Sequence, residues 1–175
     1  MPILLLESLT DLNGGLTQNF CAFMVESAVV SLSAQQHTTN VCLNVDASGQ
    51  AHQFVVQWGM VVTNEVLRTH RDEKRATDYG AMCIALLLVR QLTPYTDFTT
   101  SMTGEGVDFW LSKSDELEFT ARLEVSGIRR EGTANSVASR LERKKKQTEQ
   151  SDQTGLPAYI VIAEFSAPRA VFFRR

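Results

Sequence analysis

The sequence predicts a mixed α/β domain, and three features carry that prediction. Residues 80–92, GAMCIALLLVRQL, are apolar round nearly the whole circumference of a helix, as in a helix that lies deep in a protein. Residues 104–128, GEGVDFWLSKSDELEFTARLEVSGI, alternate with period two on either side of a polar turn, as two strands of a hairpin do. Residues 158–165, AYIVIAEF, read as an alternating to fully apolar strand that follows a charged helix. The predicted class is α/β (α+β): a mixed central sheet with an N-terminal helix and β-hairpin added to a C-terminal core.

The totals agree with one compact domain. The chain has 175 residues, 43% hydrophobic and 21% charged, enough for a sizeable core. Residues 1–75 read as the N-terminal elaboration and 76–175 as the core, with no linker between them rich enough in Gly, Ser or Pro to split the chain. No apolar run reaches the length of a bilayer span. The short apolar run at residues 3–6 has no basic residue before it, unlike a signal peptide, so the expected location is the cytoplasm. Cys21, Cys42 and Cys83 are odd in number, widely spaced and set among apolar residues, which predicts reduced core cysteines.

The elements follow in order. Residues 16–36 carry Phe20, Phe23, Met24, Ala28 and Leu32 at helical spacing, with Thr17 as N-cap. Residues 41–45 and 52–58 flank a turn containing Gly49, a hairpin pattern. Residues 61–69 read as a helix, and Arg71-Asp72-Glu73-Lys74-Arg75 as a solvated charged break. Thr77-Asp78-Tyr79 then opens the apolar helix, which Pro94 stops. Three strands follow, the first within residues 95–103, with an exposed polar turn at 112–116 between the second and third. A helix over residues 135–150 has Val137 and Leu141 as a thin apolar edge. After the strand at 158–165, Val171-Phe172-Phe173 forms a last short strand.

Two carboxylates stand among the apolar residues of the hairpin. Val107, Phe109 and Leu111 point one way, and Asp108 with Trp110 the other. In the next strand Phe119, Ala121, Leu123 and Val125 share a face, while Arg122, Glu124 and Ser126 share the opposite one. Adjacent strands would bring Asp108 and Glu124 together, which suits a divalent cation held by oxygen ligands. The same acids also fit a solvated polar face of a half-covered sheet.

From Asp78 onward the order helix, strand, strand, strand, helix, strand resembles the common core of the restriction-endonuclease-like PD-(D/E)xK nucleases. The resemblance covers roughly the last 100 residues and rests on topology plus two acids. It implies a Mg²⁺-dependent phosphodiesterase, with Asp108 and Glu124 as metal ligands and Asp78 or Glu65 as the helix acid. Ser126 stands where that family has its lysine. The resemblance then implies that the basic group comes from the following helix, from Lys144, Lys145 or Lys146, with Lys144 and Lys146 as the catalytic candidates. Arg122, on the face of Glu124, is the alternative source of charge.

The net charge of −3 makes no global case for nucleic acid, but its distribution is uneven. No Lys or Arg precedes Arg68, and 12 of the 17 lie from Lys113 onward, which suits a polyanion on one side or an acidic surface docking a partner. Arg140, Arg143, Lys144 and Lys145 form the densest basic cluster and are the nucleic-acid-binding candidates; a solvated helix face, with Glu142 and Lys146 paired, is the plain alternative. His37, His52 and His70 have no Cys or acid at metal-ligand spacing and read as structural. Trp58 and Trp110 read as packing residues. Two functions follow as expectations. The first is a Mg²⁺-dependent nuclease or nucleic-acid-processing subunit. The second is an inactive nuclease-fold subunit that binds a protein partner or forms a homo-oligomer, as in a bacterial defence or toxin–immunity system.

Overall fold

The computed structural model describes residues 1–11, 14–114 and 118–175. One mixed eight-stranded sheet contains β1 (Ile3–Leu5), β2 (Val41–Ala47), β3 (Gln50–Gln57), β4 (Asp97–Thr100), β5 (Phe109–Ser112), β6 (Ala121–Ile128), β7 (Ala158–Glu164) and β8 (Arg169–Arg174). Their spatial order is β1-β3-β2-β8-β7-β6-β5-β4. The α-helices among the described residues are α1 (Gln18–Ser33), α2 (Asn64–Thr69), α3 (Glu73–Leu92) and α4 (Val137–Thr148). None of them is long and apolar enough to cross a membrane.

Side-chain alternation divides the sheet's two faces. Phe109 and Leu111 of β5, with Ala121, Leu123 and Val125 of β6, join the main core formed with α1 and α3. The opposite face carries a second, smaller cluster in which Val137 of α4 meets Ile128, Ile160 and Ile162, with Leu141 and Phe173 packed against it. β6 therefore has a helix on each side, and every one of its residues is buried. A solvated polar face for Glu124 does not exist, because α4 covers it.

Local chemistry sets the helix ends. Thr17 caps α1 by accepting from the Phe20 N–H, a contact worth about 1 kcal/mol. The carboxylate of Asp72 accepts from the Lys74 and Arg75 N–H groups at 3.0 and 3.1 Å. The charged run 71–75, expected as a break, is thus the cap and exposed first turn of α3, which starts at Glu73 and carries Asp78 inside it. α2 starts at Asn64, later than expected, after its cap Thr63. α4 ends at Thr148 and passes into a 3₁₀ turn, Glu149–Thr154.

Several strands differ in length from the sequence pattern. β4 spans only Asp97–Thr100, and Asp108 lies just before β5 instead of within it. β1 and the 3₁₀ turn Leu6–Leu9 went unpredicted; β1 pairs in parallel with β3, placing Ile3 opposite Val55. Of the polar turn expected at 112–116, Lys113 and Ser114 are exposed, while Asp115 and Glu116 lie outside the described residues. Cys21 and Cys83 are buried and Cys42 half-buried, all as free thiols.

Candidate active site

The site forms where β5 parts from β6. The two strands pair antiparallel with Phe109 opposite Leu123, and the Asp108 N–H donates to Leu123 O at 2.9 Å. Continuing that register by one residue sets Asp108 opposite Glu124. Among the described residues β6 has no strand partner on that side beyond this point, so its amides need other acceptors. Asp108 Oδ2 accepts from the Val125 N–H at 2.7 Å. The Asp108 carboxylate thus takes the place of a neighbouring strand at Val125. The Gly127 amide, close to Asp78 of α3, favours that residue's ionised form.

Gly127 is what lets α3 come so close. A Cβ built there would lie 2.4 Å from Thr77 O, well inside van der Waals contact, and Thr77 is the neighbour of Asp78. A glycine in the strand is the condition for delivering Asp78 to this edge.

α4 supplies the cations. Helical spacing of four and three residues puts Arg140, Lys144 and Gln147 on one face, turned toward β6. Lys144 Nζ donates to Glu124 Oε1 and, at 2.9 Å, to Gln147 Oε1. Arg140 donates to Ser126 Oγ at 2.9 Å and to Asn135 Oδ1 at 2.5 Å. Ser126 of β6 therefore receives an arginine from the helix, and Lys144 stands one helical turn further on beside Glu124.

The acids are held under electrostatic tension. Burial, then the neighbouring Asp108, pushes the Glu124 carboxyl up to about 7, against the charge of Lys144. Burial likewise raises Asp108, opposed by its Val125 hydrogen bond and Lys144, with Asp78 adding to the rise. Asp78 is raised by burial and eased by Lys74, Arg140 and Lys144. Glu124 Oε2 is buried and accepts no hydrogen bond among the described residues. A buried acceptor left without a partner is costly, on the order of 1–3 kcal/mol or more for a charged group.

The remaining candidates lie elsewhere. Arg122 shares the face of Glu124, but its guanidinium turns to Thr148 O, Ser151 Oγ and Asp152 Oδ1, anchoring the end of α4. Lys146 and Arg143 are exposed. Lys145 pairs with Glu142 at 2.7 Å and sits 4.3 Å over the Phe173 ring, on the other flank of α4. The basic cluster therefore splits: Arg140 and Lys144 face inward, and the others do not join them. Glu65 is exposed on α2, whereas Asp78 is half-buried on α3. His70 is buried between Glu26 at 3.0 Å and Ser27 at 3.2 Å, a packing role. Trp110 donates to Glu105 Oε2 at 2.8 Å and stacks on Phe119. Asn135 is a site residue that residue type alone did not single out; Gln147 opens the polar run 147–153, QTEQSDQ, which reads from the sequence either as a helix cap or as reaching toward the Asp108–Glu124 cleft, and the structure sets it on Lys144.

Among the described residues no group of three or more His, Cys, Asp or Glu side chains is gathered closely enough to enclose a metal ion. Comparison of the chain with protein-family models, with curated proteins and with solved structures finds no significant match.

Proposed function

We propose that the chain is a Mg²⁺-dependent phosphodiesterase acting on nucleic acid, of PD-(D/E)xK type, with its lysine carried on α4. The observation that carries this reading is the buried Lys144–Glu124 pair beside Asp108. At the level of the fold, it is supported by the run α3, β4, β5, β6, α4, β7, with β5 antiparallel and β7 parallel to β6.

The residues present fit a divalent cation. Three carboxyls, Asp78, Asp108 and Glu124, are each raised by burial, Glu124 also by the charge of Asp108 and Asp108 by that of Asp78, and Glu124 Oε2 has no hydrogen-bond partner among the described residues. A hard dication takes such oxygens and keeps several waters, so few protein ligands suffice. Bound there, Mg²⁺ would neutralise the phosphodiester's charge and lower the pKa of its water. Lys144, held by Glu124 and Gln147, keeps an ammonium donor aimed at the same edge and would hydrogen-bond the oxygen on which charge builds as water attacks phosphorus. Arg140, fixed by Ser126 and Asn135, adds positive potential toward a phosphate.

A second reading keeps the fold without the reaction, as a binding or assembly subunit that docks a protein partner. It is favoured by the lack of a closed three-ligand group among the described residues. Incubation of the pure protein with DNA and RNA in Mg²⁺ or Mn²⁺ separates the two. Cleavage that disappears in Asp108→Ala supports the nuclease; folded protein without cleavage supports the binding subunit.

A further inference from the structure

The acid cluster lies between two clefts of opposite character. On one side a space of about 310 Å³ is lined by Lys74, Asp78, Arg129, Asn135 and Arg140, with Glu73 holding Arg129 at 3.0 Å. On the other, Asp108 faces a space of about 520 Å³ walled by the loop at residues 101–107 and by Gln147 and Gln150. Among the described residues no lysine or arginine lines this second cleft, and Asp108 is its one ionisable group. A backbone phosphate is repelled there, whereas an uncharged polar group is not.

The second cleft is a built feature. Gly104 and Gly106 adopt φ of +97° and +75°, conformations suited to glycine. A Cβ on Gly106 would stand 2.7 Å from Gln147 O and 2.9 Å from Gln150 Cβ, so the loop lies directly on the end of α4. Glu105 pins the loop, accepting from the Met102 N–H and from Trp110 Nε1, both at 2.8 Å. The walls offer hydroxyls, the exposed thioether of Met102, and two side-chain amides, each both donor and acceptor. Gln150 makes no side-chain hydrogen bond among the described residues and is exposed. Such a set matches the face and the hydrogen-bonding edge of a nucleobase.

We infer that this cleft takes one unpaired nucleobase next to the bond being cut, with Gln150 reading its edge, so that the substrate is single-stranded. The inference rests on the nuclease reading. The cationic cleft takes the phosphate on the far side of the acids. A base in a duplex has its edge occupied and its faces stacked, and must leave the helix before it can enter.

The test uses the wild-type protein in Mg²⁺ with single strands, DNA and RNA, that carry one abasic residue moved stepwise past the cut, alongside the matching duplex. Expected is cleavage of the single strand at least about tenfold faster than the duplex, and one position beside the cut where base removal lowers kcat/KM about tenfold. In Gln150→Ala kcat/KM on the intact strand falls toward that on the abasic strand, so the abasic penalty shrinks. Equal cleavage of duplex and single strand, or intact cleavage with no sensitive position, overturns the base cleft and leaves the nuclease standing. Absence of any cleavage overturns both.

Discussion

Lys144 of α4 and Glu124 of β6, 20 residues apart, form an ion pair in which the carboxylate is fully buried and the ammonium largely so. Glu124 has a second carboxylate beside it and a free acceptor atom, so a single lysine does not satisfy it. Burial raises the carboxyls of Asp78, Asp108 and Glu124 against the nearby charges of Lys74, Arg140 and Lys144, and the cation binding we propose would favour their ionised forms.

Removal of Lys144 follows from this directly. Breaking a buried pair by deleting one partner costs about 3–5 kcal/mol when the other must remain charged. Glu124 can escape by taking up a proton. In Lys144→Met the loss of stability, measured by urea denaturation, is therefore larger at pH 8 than at pH 5.5.

Glu124 itself gives a pH signature. Its carboxyl is raised from 4.5 to about 7 in the folded protein, so the folded state binds its proton more tightly than the unfolded state does. That contribution is fully present below about pH 4.5 and is lost as pH rises through 7. Without added metal, wild-type stability relative to Glu124→Gln falls between pH 5 and pH 8, by on the order of 3 kcal/mol. Parallel pH profiles for the two proteins would contradict the assignment.

Cation binding should oppose that fall. Protons and metal compete for the same carboxylates, and a ligand that binds only the folded state raises Tm by mass action. Millimolar Mn²⁺ is expected to raise Tm more at pH 8 than at pH 5.5, and not at all in Asp108→Ala/Glu124→Ala.

Gly127 tests the delivery of Asp78. In Gly127→Ala the new methyl meets Thr77 O at 2.4 Å, and backbone must shift. About 2–3 kcal/mol of stability is expected to be lost, as for an overpacked core position. Mn²⁺ affinity falls with it, because Asp78 moves with Thr77. Ser126→Ala, on the same strand, frees Arg140 without moving α3 and leaves metal affinity near that of the wild type.

How much of this was legible in the sequence can be followed residue by residue. Period two placed Phe109 and Leu111 opposite Asp108, and Leu123 and Val125 opposite Glu124, and the structure keeps those faces. What alternation cannot say is whether a polar face meets water. Only the packing of α4 on β6 makes Glu124 buried, and α4 carries just Val137 and Leu141 as its apolar edge. The choice among Lys144, Lys145 and Lys146 depended on the rotation of that helix, which adjacent lysines leave undefined. The start of α3 was hidden because its first turn is exposed and charged, and the decisive signal was a single cap, Asp72. β1 has three residues and a partner strand some fifty positions away, too little local pattern for any periodicity to report.

The most direct test moves the lysine. Cleavage of a mixed-sequence single strand in Mg²⁺ is compared for the wild type, Lys144→Ser, and Lys144→Ser combined with Ser126→Lys. If Lys144 does the work of the absent strand lysine, the single variant loses about 10²-fold or more, and the double variant, with a lysine restored to β6, regains at least about tenfold. Wild-type activity in Lys144→Ser, or no cleavage by any of the three, would contradict the account.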